Sequence, residues 1–152
     1  MPSGVDSAMA RVPSEILDAF FHGQGDVLGD VLADDVELRD VTLPLPITGR
    51  DAVVARLAVY DDLLEGSQTE VQTVLVEGDR AAAEWILRGR HRGSLLGEEP
   101  TGAEIAVSIA GFFEFEDGRI ARLRIYYDAA MLYRQLGVPV NVGGPASPIT
   151  GG

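Results

Sequence analysis

The chain has 152 residues, a formal charge of −12 and no cysteine. That length suits one domain around one core, and the missing thiols exclude disulfides, thiolate catalysis and zinc–thiolate sites. The acidity leaves no basic excess to displace counterions from nucleic acid and disfavours anionic membrane surfaces, so neither is an expected partner. Hydrophobic residues make up 46%, enough for a core, yet no apolar run approaches the ~20 residues of a membrane span. The opening Met-Pro-Ser-Gly-Val-Asp-Ser-Ala has no basic segment followed by an apolar one, so no signal peptide is expected and the expected compartment is the cytoplasm. His22 and His91 lie far apart in sequence, which argues against a His-rich metal site; neither metal nor cofactor is expected.

Residues 1–12 read as a loose arm. A helix is expected from Pro13 to about Gly23, where Ile16 with Phe20 and Leu17 with Phe21 make one apolar stripe. A short helix follows from about Asp26, and Ala33-Asp34-Asp35 is read as the turn out of it.

The next stretch alternates as a strand. Val36, Leu38 and Asp40 share one face, and Glu37, Arg39 and Val41 the other. A face opened by Val and Leu turns to the core, so Asp40 sits on or beside an apolar surface. A carboxylate there needs partners, a shifted pKa or a chemical role. The plainer alternative is that Asp40 caps the turn into Leu43-Pro44-Leu45-Pro46, a segment unfit for a central strand.

Thr48-Gly49-Arg50-Asp51 reads as a capped helix start. That helix should turn Val53, Val54, Leu57, Tyr60, Leu63 and Leu64 inward and stop at Gly66. Strands are expected over 70–76, 80–91, 103–116 and 119–127, with a glycine-broken loop over 93–102. On the third of these, Ile105, Val107, Ile109, Gly111, Phe113 and Phe115 form one face; Leu123, Ile125 and Tyr127 match it on the fourth. A plain two-residue Asp117-Gly118 turn would pair odd with even positions, so a one-residue bulge is expected at Gly118. Arg122 and Arg124 should then face Glu104 and Glu114 as a solvated charge ladder. Asp128 starts a last short helix stopped by Gly137, and residues 139–152 read as a tail.

Helices followed by an antiparallel meander make an α+β plan in which the helices cover one sheet face. Short helices cannot tile a long curved sheet, so a cone-shaped cavity should remain, with Asp40 in it or at its mouth.

Several spaced pieces together resemble the SnoaL-like polyketide cyclases of the nuclear-transport-factor-2-like superfamily. They are Gly89-Arg90-His91-Arg92-Gly93-Ser94-Leu95-Leu96-Gly97, Pro100-Thr101-Gly102, Asp117-Gly118-Arg119-Ile120, Asp128 and Gln135-Leu136-Gly137. The resemblance covers about residues 13–138. It implies a cone-shaped fold, a cofactor-independent enzyme acting on hydrophobic polyketide intermediates, and a homodimer. Ala33-Asp34-Asp35-Val36-Glu37-Leu38-Arg39-Asp40, with Thr48-Gly49 after it, is also similar to ketosteroid isomerases and polyether epoxide hydrolase/cyclases. In both branches the residue matching Asp40 is the catalytic carboxylate.

The departures are equally specific. The positions matching the acid–base Asp and His of anthracycline aldol cyclases are Ile125 and Gly111, and neither moves a proton. The oxyanion donors of steroid isomerases fall on Ile16 and about Gly111. The resemblance therefore implies neither of those reactions. The polyether branch pairs its Asp with a Glu from the third helix, and Glu65 lies two or three residues from that place. Two carboxyl groups with separated pKa values would suit epoxide opening.

Asp40, Glu65 and His91 are thus the candidate catalytic residues. Tyr60, Trp85, Gly111, Phe113, Ile125 and Tyr127 are candidates for the pocket wall. Each has a plainer reading: Glu65 as a solvated helix-end acid, His91 as a structural residue beside the glycine loop, Tyr60 and Trp85 as packing, Asp128 as a helix cap. Two functions follow. One is general acid–base ring formation or epoxide opening; the other is a non-catalytic binding or assembly module on the same fold.

Overall fold

The computed structural model describes residues 25–93 and 100–137. The expected N-terminal arm, the helix from Pro13, the core of the glycine loop and the C-terminal tail lie outside the described residues. The described part runs α1 (Gly25–Val31), β1 (Leu32–Asp40), β2 (Ile47–Thr48), α2 (Arg50–Leu63), β3 (Leu64–Glu77), β4 (Arg80–His91), β5 (Glu104–Glu116), β6 (Arg119–Tyr127) and α3 (Ala129–Gln135). The strands form one sheet in the order β2-β1-β6-β5-β4-β3. All neighbours are antiparallel except β1 and β6, which run parallel. Three helices on an open, mixed, curved six-stranded sheet make the α+β architecture expected.

The inner sheet face is the one the alternation marks. On β5, Ile105, Val107, Ile109, Gly111, Phe113 and Phe115 are buried and the residues between them are not. Trp85 and Leu123 are fully enclosed, as are Val53 and Leu57 from α2. That continuous apolar layer between helices and sheet is the core.

Four local expectations need correction. The bulge of the last hairpin exists, but at Ala121 rather than Gly118. Asp117 and Gly118 both take positive φ, 52° and 78°, as a two-residue hairpin turn of the primed type requires. Phe115 pairs with Ile120 and Glu114 with Arg122, so Ala121 is the extra residue. Ile120 and Ala121 are consequently both buried. Beyond the bulge, Gly111 faces Ile125 and Phe113 faces Leu123, the register anticipated.

Second, Ala33-Asp34-Asp35 is not a free turn. β1 starts at Leu32 and bulges between the Leu32–Ile120 and Glu37–Arg122 pairs; Arg50 holds this bulge through the Asp34 carboxylate and, from Nε, the Leu32 carbonyl oxygen at 3.2 Å. Third, Thr48 belongs to β2, and Gly49 caps α2 by accepting from the Val53 N–H at 3.0 Å. Fourth, α2 ends at Leu63 rather than Gly66, and β3 begins at once. Gly66, with φ 63°, falls in a register shift of β3.

The outer ladder is partly as expected. Arg122 pairs with Glu114 at 3.2 Å and Arg90 with Glu104 at 3.9 Å. Arg124 instead lies over the Phe112 ring, 5.4 Å from its centroid.

α3 completes the fold beside β5. Asp128 caps it, accepting from the Met131 N–H at 3.0 Å. β6 stops at Tyr127, opposite Ile109, so the first residues of β5 have no strand on that side. The Gln135 side chain takes that place, exchanging two 2.9 Å hydrogen bonds with the Ala106 backbone. This seats Leu132, Tyr133 and Leu136 over the end of the sheet.

Candidate active site

Between α2, α3 and the inner sheet face lies a cavity of about 290 Å³. That is near the lower bound of cavities that enclose small ligands, ~300 Å³. Its walls are mainly apolar: Leu63, Leu87, Val107, Ile109, Ile125 and Leu136. Polar residues line it at two places: Thr42, Arg56, Tyr127 and Tyr133 at one, and His91 at the other.

Asp40 organises the first place. It ends β1 with Val36 and Leu38 on the same inward face, and all three are buried. Its Oδ1 accepts from the Thr42 backbone N–H at 2.8 Å and from the Thr42 hydroxyl at 2.7 Å. Its Oδ2 lies 3.4 Å from the Arg56 guanidinium. Both readings of Asp40 are therefore realised in geometry: it caps the turn out of β1, and it is an inward carboxylate. A carboxylate with no solvent exposure is costly to bury, and these bonds offset that cost.

The carboxylate itself does not form the cavity wall. Thr42 and Arg56 stand in front of it and do. Because the Thr42 hydroxyl gives its proton to Asp40, its oxygen is left to accept one. The Tyr127 hydroxyl is 3.4 Å away, so the chain of donors runs Tyr127 to Thr42 to Asp40. Burial pushes the Tyr127 pKa above 10.0, and the nearby Asp40 charge adds to this against the opposing Thr42 bond and Arg56 charge. Tyr127 is thus a protonated donor throughout the neutral range.

His91 ends β4 on the inner face, 2% exposed. Its Nδ1 accepts from the Thr101 N–H at 3.1 Å and lies 3.0 Å from the Thr101 hydroxyl. An Nδ1 that accepts places the ring proton of the neutral imidazole on Nε2. Nε2 is buried with no hydrogen-bond partner among the described residues.

The other sequence candidates separate by depth. Ile125 and Tyr127 line the cavity. Trp85, Gly111 and Phe113 lie in the core and are not cavity-lining residues. A Cβ on Gly111 would meet the Trp85 ring at 2.9 Å, so the indole fills the space a larger side chain would need. Glu65 is exposed on β3, opposite Arg90, and borders a surface groove with Arg88 and Glu104 instead of the cavity. It is not on a helix and does not approach Asp40 as a second acid. The side chain of Tyr60, on α2, lies outside the described residues.

Sequence reasoning missed Thr42, Arg56 and Tyr133. Arg56 had a signal, standing three residues after buried Val53 and therefore on the inward stripe of α2. Thr42 had one as well, since Asp-x-Thr before a proline loop is a side-chain-capped turn. Among the described residues, no three His, Asp or Glu side chains come together as a metal site, and no helix is long and apolar enough to cross a membrane.

Helices packed on one face of a curved mixed sheet, with a mainly apolar cavity between the layers, define an α+β architecture. Residues 11–136 match the family model of the SnoaL-like polyketide cyclases, and the chain belongs to that family. Among solved structures it is similar to a candidate SnoaL-like polyketide cyclase from Jannaschia sp. CCS1, at 21% identity and TM-score 0.78, covering 92% of this chain and 99% of that one. It is also similar to TsrD from Streptomyces laurentii, at 25% identity and TM-score 0.77, with 88% and 97% covered. An LEH-like epoxide hydrolase from M. tuberculosis matches at 19% identity and TM-score 0.68, with 86% and 90% covered. Comparison with curated proteins gives no match.

Proposed function

We propose that this protein is a cofactor-independent cyclase-type enzyme that closes a ring, or opens an epoxide, on a hydrophobic polyketide-type intermediate. The observation that carries the reading is the buried Asp40 carboxylate, reached from an apolar cavity through the Thr42 and Tyr127 hydroxyls. In this reading Asp40 is the terminal proton acceptor without touching substrate. A substrate hydroxyl or enol passes its proton to the Tyr127 oxygen. The Tyr127 proton moves to Thr42, and the Thr42 proton to Asp40. The substrate oxyanion or enolate then attacks the electrophilic carbon within the same molecule, and the oxygen released there recovers a proton by the reverse route. Arg56, on the cavity wall, supplies positive charge for the oxyanion. The apolar walls hold the chain in a reactive conformer. The 3.4 Å Thr42–Tyr127 separation is longer than a strong O–H···O bond, and catalytic bonds of this kind tighten when substrate binds.

Asp40→Asn keeps the shape and removes the base. Turnover should fall by roughly 10²–10⁴-fold while intermediate binding changes little; undiminished turnover refutes the relay. Tyr127→Phe should give a comparable loss. A second reading, a binding or assembly module, is favoured by the apolar Ile125 and the packed Gly111, which leave the centre of the sheet without a proton-transfer group. It predicts that the wild-type protein binds the intermediate and returns it unchanged.

A further inference from the structure

Cavity walls built from aliphatic side chains do not discriminate one greasy molecule from another. A donor without a partner does, because a ligand that carries an acceptor satisfies it and an apolar ligand leaves it unpaired. Among the described residues, His91 Nε2–H is such a donor. His91 is 2% exposed and lines the cavity, its Nε2 is buried, and Thr101 fixes the tautomer through Nδ1. Nothing in the relay uses it.

Its position is set by strand register. The His91 N–H bonds to the Ala103 carbonyl, at the start of β5, whereas Tyr127 pairs with Ile109 further along. The difference between 103 and 109 is about 20 Å of extended chain. Ile105, Val107 and Ile109 line the cavity between the two levels. The two polar places are thus opposite ends of one apolar slot.

We propose that His91 is a substrate-recognition residue, donating through Nε2–H to a ketone, quinone or similar acceptor oxygen at the end of the ligand remote from Tyr127. His91 is thereby a hydrogen-bond donor and not a general base, since its only free lone pair is already spent on Thr101. The inference rests on the cavity being the ligand site, as the proposed function does, but not on the relay.

The test uses two rigid probes of matched shape, 9-fluorenone and fluorene, titrated against the full chain. Fluorenone should bind about tenfold more tightly than fluorene, the size of one hydrogen bond in a dry site. His91→Phe should erase that preference, and His91→Gln, which keeps a side-chain N–H, should restore part of it. In ¹⁵N-resolved NMR the His91 Nε2–H resonance should be visible in the free protein and move with fluorenone only. Equal or absent binding of the two probes by the wild-type protein, or a preference that survives His91→Phe in a variant with an unchanged melting temperature, overturns the proposal. Should His91→Phe fail to fold, an Nε2–H resonance indifferent to fluorenone overturns it alone. Asp40→Asn should keep the preference for the ketone, so normal turnover in that variant counts against the relay and not against His91.

Discussion

One row of residues crosses the inner sheet face: Asp40 on β1, Ile125 on β6, Gly111 on β5 and Ala83 on β4, each the register partner of the next. Two members of this row, Gly111 and Asp40, behave differently. At Gly111 the space is filled by the Trp85 indole, and the neighbourhood is solid core. At Asp40 the carboxylate is backed by the strand and fronted by Thr42 and Arg56, which face a cavity. The two middle members of the row, Ile125 and Gly111, carry no proton-transfer group. The carboxylate of the row stands at its edge, on β1. There the carboxylate has no surface of its own on the cavity, and the Thr42 hydroxyl, with the Tyr127 hydroxyl beyond it, stands on the cavity side.

The largest effect is expected at Asp40. Arg56→Leu takes the guanidinium away from a fully buried carboxylate, and should destabilise by about 3 kcal/mol in urea unfolding. A loss below about 1 kcal/mol would mean that the hydroxyl and backbone bonds suffice. Gly111→Ala forces the Trp85 ring to move and should cost about 2 kcal/mol. Because Trp85 is the only tryptophan, its fluorescence should shift as well; an unchanged spectrum and midpoint would show that the core yields without strain.

A pH series sharpens the contrast from the cavity side. The Tyr127 pKa is raised in the folded state relative to 10.0, so above pH 10 the unfolded chain loses that proton first and binds fewer protons than the native one. Stability should therefore be flat with respect to this group below pH 10 and fall as pH rises beyond it. Tyr127→Phe should make the alkaline decline shallower, and an identical decline in the variant would remove Tyr127 as its source. The smallest effect belongs to the outer face. Arg122→Ala breaks the half-exposed pairs with Glu114 and Glu116 and should change stability by less than about 0.5 kcal/mol; a larger loss would mean that the outer ladder carries structural weight.

Much of this was legible in the residues. Period-two alternation located β4, β5 and β6, and placed Asp40, Ile125 and Tyr127 on the inner face, because side-chain direction in a strand is a local property. The need for a bulge in the last hairpin was legible too, but its place was not. Ala121 carries it because Asp117 and Gly118 close the tighter turn, and a bulge one step later restores the same register. Glu65 was misplaced for a related reason: Leu64 continues the apolar pattern of α2, yet its pairing opposite His91 makes it a strand residue. A helix period and the first turn of a following strand are indistinguishable over so few residues.

The amino-acid order by itself determined which side chains point inward, the α+β plan and the presence of an inward acid. What only the tertiary structure decided was depth. Whether an inward residue meets another side chain or an empty space depends on atoms brought from distant segments, as Trp85 is to Gly111 and Arg56 and Thr42 are to Asp40. Packing is a sum over such non-local neighbours, and no local pattern encodes where that sum leaves a gap.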